Sequence, residues 1–209
     1  MRQPPTEDLA PWFLTLPDLD DSLDWPTFFG NDQPVELDVG CGRGLFLVNA
    51  AVADPRTNFC GLEIDYREGR RTARRLKKRA MANARVLGGD ARTALDQLIA
   101  PSSVSAIHVY FPDPWWKRKH RHRRIFTDEF LGLVTRVLVT GGELFSRSDV
   151  GEYFETIRVL VSHHEKFQEL STPELHHPEH DMDYLTSYER KGRKAGSEIH
   201  CGHWRYTGE

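Results

Sequence analysis

Short buried-strand patterns alternate with helical ones along most of this 209-residue chain. VELDVG (35–40) leads into an apolar stretch, Leu45–Ala53, that stops at Asp54-Pro55. NFCGLEID (58–65) leads into a helical pattern from Arg67 to Ala82, with Ala73, Leu76 and Ala80 as its narrow apolar stripe. ARVLGGD (84–90) precedes Arg92–Ile99, and SAIHVYFP (105–112) precedes Phe126–Val139. In that last helix Thr127 reads as the N-cap, Asp128 and Glu129 fill the first turn, and Gly141-Gly142 reads as the stop. GELFSRS (142–148) precedes Val150–His163, and KFQEL and IHCGHWRY are the last strand candidates. Repeated strand–helix–strand units require parallel strands with right-handed crossovers, so the expected fold is α/β, with a Rossmann-like doubly wound sheet. At this length one domain, 34–209, is expected, behind an irregular acidic arm over 1–33 that is rich in Pro and Asp.

Such sheets bind ligands beyond the carboxyl ends of their strands, near the point where strand order reverses. Acids stand at all five expected exits: Asp38, Glu63 with Asp65, Asp90, Asp113 and Asp149. After the first strand, Asp38-Val-Gly-Cys-Gly-Arg-Gly44 places glycines at 40, 42 and 44. A dinucleotide fingerprint would need its third glycine at 45, where this chain has Leu45. Asp38 would also repel a pyrophosphate, whereas a sulfonium and an ammonium would be drawn to it. Glu63 can accept from ribose hydroxyls, with Asp65 as its rival, and Asp90 can accept from an adenine amino group. The loop and the three acids together sketch a site for S-adenosylmethionine.

Net charge is −3, but the cations are unevenly spread. Residues 67–79 and 117–124 together hold half of the 28 Lys and Arg, a local asymmetry suited to phosphates. Segment 67–79 reads equally as a solvated helix face. No apolar run is long enough to cross a bilayer and no signal peptide is evident, so a cytoplasmic protein with no membrane partner is expected. Three distant cysteines, Cys41, Cys60 and Cys201, fit reduced thiols. The histidine groups 176–180 and 200–203 match no zinc spacing, and His200 and His203 would face opposite sides of a strand, so no metal is expected.

The fourth strand runs into YFPDPWWKRKHRHRRIF (110–126), where Asp113 stands between two prolines and two tryptophans, just ahead of a cationic block. Phe-Pro-Asp-Pro-Trp with that block, the glycine loop, GLEID and the late TSYE together resemble the bacterial tRNA (guanine-N7-)-methyltransferase family. Trp25 and Phe29-Gly30-Asn31 fit as well, so the resemblance runs from about residue 24 to the C-terminus. It implies a class I methyltransferase fold of seven strands, the last antiparallel, and methylation of N7 of a variable-loop guanine in tRNA, commonly position 46. It implies cofactor contacts from Asp38, Gly40, Gly42, Gly44, Glu63 and Asp90, and a catalytic or cofactor-contacting Asp113. It implies substrate contacts from Lys117, Asp149, Thr186, Ser187, Tyr188 and Glu189. The family usually carries Glu where this chain has Asp38, which leaves the role of that shorter side chain open. tRNA is the implied partner, DNA is not, and either a monomer or a homodimer fits.

Guanine N7 carries an in-plane lone pair and no proton, so its methylation needs no general base, only positioning and a nearby carboxylate for the cationic ring that forms. Asp113, stiffened by its prolines, suits that role, while Glu189, Asp149 or Asp113 can read the guanine Watson–Crick edge. Two rivals share these features. Asp113-Pro114-Trp115 resembles the motif of enzymes that methylate exocyclic amino groups, although its second proline is missing. A pseudo-methyltransferase that only binds RNA would keep the fold. A nicotinamide dehydrogenase is disfavoured by Leu45 and by the lack of a Tyr-x-x-x-Lys pair.

Overall fold

The computed structural model describes residues 7–19, 22–172, 179–180 and 184–208. Among these, eight strands form one sheet: β1 (Phe13–Thr15), β2 (Val35–Val39), β3 (Asn58–Glu63), β4 (Ala84–Gly88), β5 (Val104–Tyr110), β6 (Leu138–Ser148), β7 (Phe167–Glu169) and β8 (His200–Tyr206). Their order is β1-β4-β3-β2-β5-β6-β8-β7. All neighbours from β1 to β6 are parallel, and β8 runs antiparallel to both β6 and β7. The reversal point lies between β2 and β5, so the loops that follow these two strands share one crevice.

The helices are α1 (Trp25–Phe29), α2 (Leu45–Ala53), α3 (Tyr66–Lys78), α4 (Ala91–Thr93), α5 (Asp128–Val137), α6 (Gly151–Ser162) and α7 (Ser187–Lys194). Strand alternation divides the core between the two faces of the sheet. Val35, Leu37, Cys60, Leu62, Ile107 and Val109 pack with α1, α5 and α6, whereas Phe59, Ala84 and Val86 pack with α2 and α3. Asp38, Glu63, His108 and Tyr110 occupy the alternate positions and face the α2–α3 side. The fold therefore gathers polar groups at one end of one face.

The arm is not irregular throughout. β1 adds an eighth strand beside β4, with Thr15 opposite Gly88, and α1 is capped by Asp24, whose carboxylate accepts from the Thr27 N–H at 2.9 Å. Phe13 fills the space over Gly69 and Gly88, where a Cβ would come within 2.9 and 2.7 Å of its ring. Three-residue β1 has too little sequence to show a period, and the edge of β4 supplies what its own pattern lacks. Two helix ends also differ from the sequence reading. α3 stops at Lys78, and Ala80 turns left-handed (φ 49°) and is exposed, so the buried stripe is Gly69, Thr72, Ala73 and Leu76. α5 stops at Val137, and Gly141-Gly142 lie inside β6 near a register shift against β5 rather than at a helix end.

Candidate functional site

The glycine loop is held from below and from one side. Gly40, Gly42 and Gly44 all have positive φ (77°, 51° and 66°), which permits the sharp turn from β2 into α2. Glu63, buried at the end of β3, accepts the Gly42 N–H at 2.7 Å through Oε2 and the Asp65 N–H at 2.8 Å through Oε1. Thr72 of α3 donates its hydroxyl to the Gly42 carbonyl at 2.8 Å. A Cβ on Gly44 would lie 2.2 Å from the Thr72 Cγ2. Gly44→Ala therefore combines a left-handed backbone with overpacking, and is expected to cost about 2–4 kcal/mol in chemical denaturation.

Asp38 is buried beside this loop, and its Oδ2 has no hydrogen-bond partner. Burial first, and the neighbouring Glu63 charge second, push its carboxyl up to about 8. Cys41 sits with it, its thiol raised well above the usual range by burial and then by Asp38 and Glu63, so it is no nucleophile. Asp38 and the glycine loop form one wall of a small pocket, with Phe46 and Tyr110. Thr186, Ser187 and Tyr188, at the start of α7, form the opposite wall. The Tyr110 hydroxyl lies 2.9 Å from His108 Nδ1, and His108 Nε2 lies 2.8 Å from Glu36. With Glu36 taking the Nε2–H, Tyr110 donates to Nδ1 and is fixed by the strand below.

The other expected cofactor acids lie at neighbouring strand ends. Asp65, the rival to Glu63, is the N-cap of α3 and accepts from the Arg67 N–H at 2.8 Å, so its carboxylate is engaged in the helix start. Asp90 is exposed and caps α4 through Oδ1, from the Thr93 N–H at 3.0 Å, which leaves Oδ2 for a ligand.

Asp113 leaves β5 exposed, and among the described residues it makes no hydrogen bond or ion pair. Phe111 and Trp115, on either side of Pro112-Asp113-Pro114, both adopt positive φ (54° and 43°). Bulky residues there are strained, and such strain concentrates where a side chain must be presented in one orientation. Trp115 is occupied by Arg123, whose guanidinium lies 5.0 Å from its ring centroid, whereas Trp116 is 59 % exposed and open for stacking.

The two cationic segments behave differently. In α3, Arg74 pairs with the Glu7 carboxylate at 2.8 Å, Lys77 donates to the Asp8 carbonyl at 2.9 Å, and Arg70 donates to the Glu7 carbonyl. Arg75 donates to the Arg43 carbonyl at 2.7 Å, and Arg71 pairs with Glu68. Arg70, Arg74 and Lys77 thus hold the arm, and Arg75 holds the glycine loop. In the second segment Lys117, Arg118, Lys119, Arg121 and His122 are exposed. Arg124 instead turns inward and donates to the Pro114 carbonyl at 2.8 Å.

Thr186 caps α7, accepting the Glu189 N–H at 3.0 Å. Glu189 is 2 % exposed, and both its oxygens are engaged, by Arg147 at 3.2 Å and by Arg193 at 3.1 Å. Its carboxylate anchors α7 to β6. Asp149 is exposed beside Gly192 of the same helix, where a Cβ would meet the Asp149 Cβ at 3.4 Å. The structure thus joins Asp38, the three glycines, Thr186, Ser187 and Tyr188 around one pocket, and sets Asp113, Lys117 and Asp149 on exposed ground outside its lining. Sequence reasoning missed Tyr110 and Arg147, and it grouped Arg124 with the phosphate-facing cations of 117–124, whereas Arg124 turns inward to the Pro114 carbonyl. Of the first two, Tyr110 alone carried a signal, as the last residue of a strand whose exit leads into the Asp113 motif. Among the described residues no group of three or more His, Cys, Asp or Glu side chains could hold a metal, and His176 and His177 lie outside them.

A parallel sheet reversing between β2 and β5, one antiparallel strand set next to the far edge, and a glycine loop flanked by acids define a class I methyltransferase. A family model described as "Putative methyltransferase" matches residues 32–202. The tRNA (guanine-N(7)-)-methyltransferase of Rhodopirellula baltica is 38% identical over 96% of this chain and 76% of the relative. That of Geobacter metallireducens is 31% identical over 96% of this chain and 95% of the relative. Among solved structures, the 16S rRNA methyltransferase KamB shares the fold with a TM-score of 0.61 and 20% identity, over 84% of this chain and 88% of that one. This chain belongs to the tRNA (guanine-N(7)-)-methyltransferase family.

Proposed function

We propose that the protein transfers a methyl group from S-adenosylmethionine to N7 of a guanine in the variable loop of tRNA. The observation that carries the reading is the pairing of two unlike carboxylates at the reversal point. Asp38 is buried with an oxygen that lacks a partner, and Asp113 is exposed beyond the next strand. A buried carboxylate without a partner is costly, and a cationic ligand end relieves it. The residues present therefore fit S-adenosylmethionine, which supplies an electrophilic methyl group on a positively charged sulfur.

The chain's own groups divide the remaining work. Asp38 faces the cationic end of the donor, Asp90 keeps one oxygen for an adenine amino group, and Glu63 keeps the glycine loop in shape. Asp113 stabilises positive charge as it develops on the guanine ring, where no proton has to leave. Asp149, exposed beside α7, takes the role of accepting from the guanine Watson–Crick edge, while Glu189 holds the helix that carries Tyr188. Trp116 offers a stacking surface for a base taken out of its stack. Lys117, Arg118, Lys119 and Arg121 grip phosphates in the cytoplasm, where tRNA is modified.

That division predicts two kinds of lysine and arginine in one segment. Lys117→Ala with Arg121→Ala should weaken tRNA binding and flatten the plot of log K against log salt by about 1.5–2, one phosphate per cation. Arg124→Ala should instead lower thermal stability, because it frees the Pro114 carbonyl and uncovers Tyr153. The function itself is tested in a bacterial strain lacking its own N7-guanine methyltransferase. Expression of this gene should restore borohydride- and aniline-induced cleavage in the variable loop of tRNA. No restoration, with the protein expressed and folded, contradicts the reading.

A further inference from the structure

A side chain beneath the Asp113 loop has a polar group that the reading above does not use. Tyr153, in the first turn of α6, is 2 % exposed, and its hydroxyl oxygen is buried without a hydrogen-bond partner. The Phe126 backbone N–H faces that oxygen, but an N–H serves only a lone pair, so the hydroxyl proton still lacks an acceptor. Buried hydroxyls are almost always paired, and a phenylalanine would fill the same space without the penalty.

The surroundings say which acceptor is meant. The Arg124 guanidinium lies 4.5 Å over the Tyr153 ring and donates to the Pro114 carbonyl, one residue from Asp113. Arg92 holds the Arg124 and Ile125 carbonyls at 2.7 and 3.3 Å from the adenine side of the crevice. Burial pushes the phenol up to about 12. Arg124 and the Phe126 N–H pull it down, Asp113 pushes it further up, and Arg92 pulls it down, in keeping with the Arg124 contacts that bring Tyr153 and the Asp113 loop together. Pro112 and Pro114 restrict the backbone on either side of Asp113, and Phe111 and Trp115 next to them are left-handed.

We infer that Tyr153 is a positioning residue for the reaction, donating its hydroxyl to the Asp113 carboxylate when the 111–115 loop settles on the tRNA. The inference rests on Asp113 acting at the methyl-transfer centre. The donated bond fixes which oxygen faces the guanine, and the Arg124 guanidinium keeps the ring beneath the loop.

Tyr153→Phe tests this, because the ring and its contact with Arg124 remain. The melting temperature of the ligand-free protein should change little, since the proton of the lost hydroxyl had no acceptor. kcat should fall about 10- to 100-fold, the worth of a hydrogen bond to a charged group, with KM for tRNA and for S-adenosylmethionine within about threefold. In an Asp113→Asn background the same substitution should have a much smaller effect. An unchanged kcat overturns the inference, and so does a fall in kcat that tracks a fall in melting temperature. If Asp113→Asn lowers turnover and Tyr153→Phe does not, only the role of Tyr153 is lost. If the wild-type protein makes no N7-methylguanine, the underlying reading fails and this inference with it.

Discussion

Asp113→Asn is expected to lower kcat for tRNA methylation about 100-fold or more, while affinity for S-adenosylmethionine stays within about threefold. The substitution keeps the shape of the side chain and removes its charge. Asp113 is exposed and makes no hydrogen bond or ion pair among the described residues, so the fold loses nothing and the melting temperature should not move. Guanine N7 attacks without losing a proton, and the ring gains a full positive charge as it is methylated. A fixed carboxylate favours that state over the ground state, which is why the loss falls on kcat and not on binding. Kinetics at saturating tRNA with calorimetric titration of the donor separate the two. A weakened donor affinity with normal turnover would make Asp113 a cofactor contact instead.

The second large effect belongs to Asp38. Its carboxyl is raised to about 8, by burial and then by Glu63. At low pH both the folded and the unfolded chain carry this proton. Between the ordinary carboxyl range and about 8, the folded protein keeps a proton that the unfolded chain has released, so ligand-free stability falls as pH rises through that window. A cationic ligand end beside Asp38 reverses the preference and expels the proton. Donor affinity should therefore rise from pH 6 toward about 8, and binding should release a proton at neutral pH, seen by calorimetry in buffers of different ionisation enthalpy. Asp38→Asn should weaken donor binding about 10- to 100-fold. The same variant should flatten the pH dependence and leave the ligand-free protein more stable than wild type near pH 8. Donor affinity that is independent of pH and of this substitution would remove Asp38 from the site.

The parts of the site that were legible in the sequence are those set by local rules. Strand period and turn chemistry located Asp38, the three glycines and Glu63, because an exit from a parallel strand into a helix has few solutions. Leu45–Ala53 was legible to the residue, since Asp54-Pro55 ends it. What stayed hidden depends on partners distant in the chain. Glu189 looks exposed in TSYE, but Arg147, 42 residues away, makes its burial possible. Cations of 67–79 look free until Glu7 and Asp8 are brought across them by β1 pairing with β4. Arg124 sits among cations that face solvent, and only the fold reveals that it turns inward to Pro114 and Tyr153. Tyr153 itself reads as an ordinary aromatic at the start of a helix, and its missing acceptor is visible only in three dimensions.

The most direct measurement is methyl transfer in vitro. Purified protein is incubated with an unmodified tRNA transcript and methyl-labelled S-adenosylmethionine, and the labelled nucleoside is then identified and mapped. The account predicts label on N7 of a guanine in the variable loop, in a cationic nucleoside with a labile glycosidic bond. Label on an exocyclic amino nitrogen, on another base, or nowhere in the tRNA despite donor binding would contradict it.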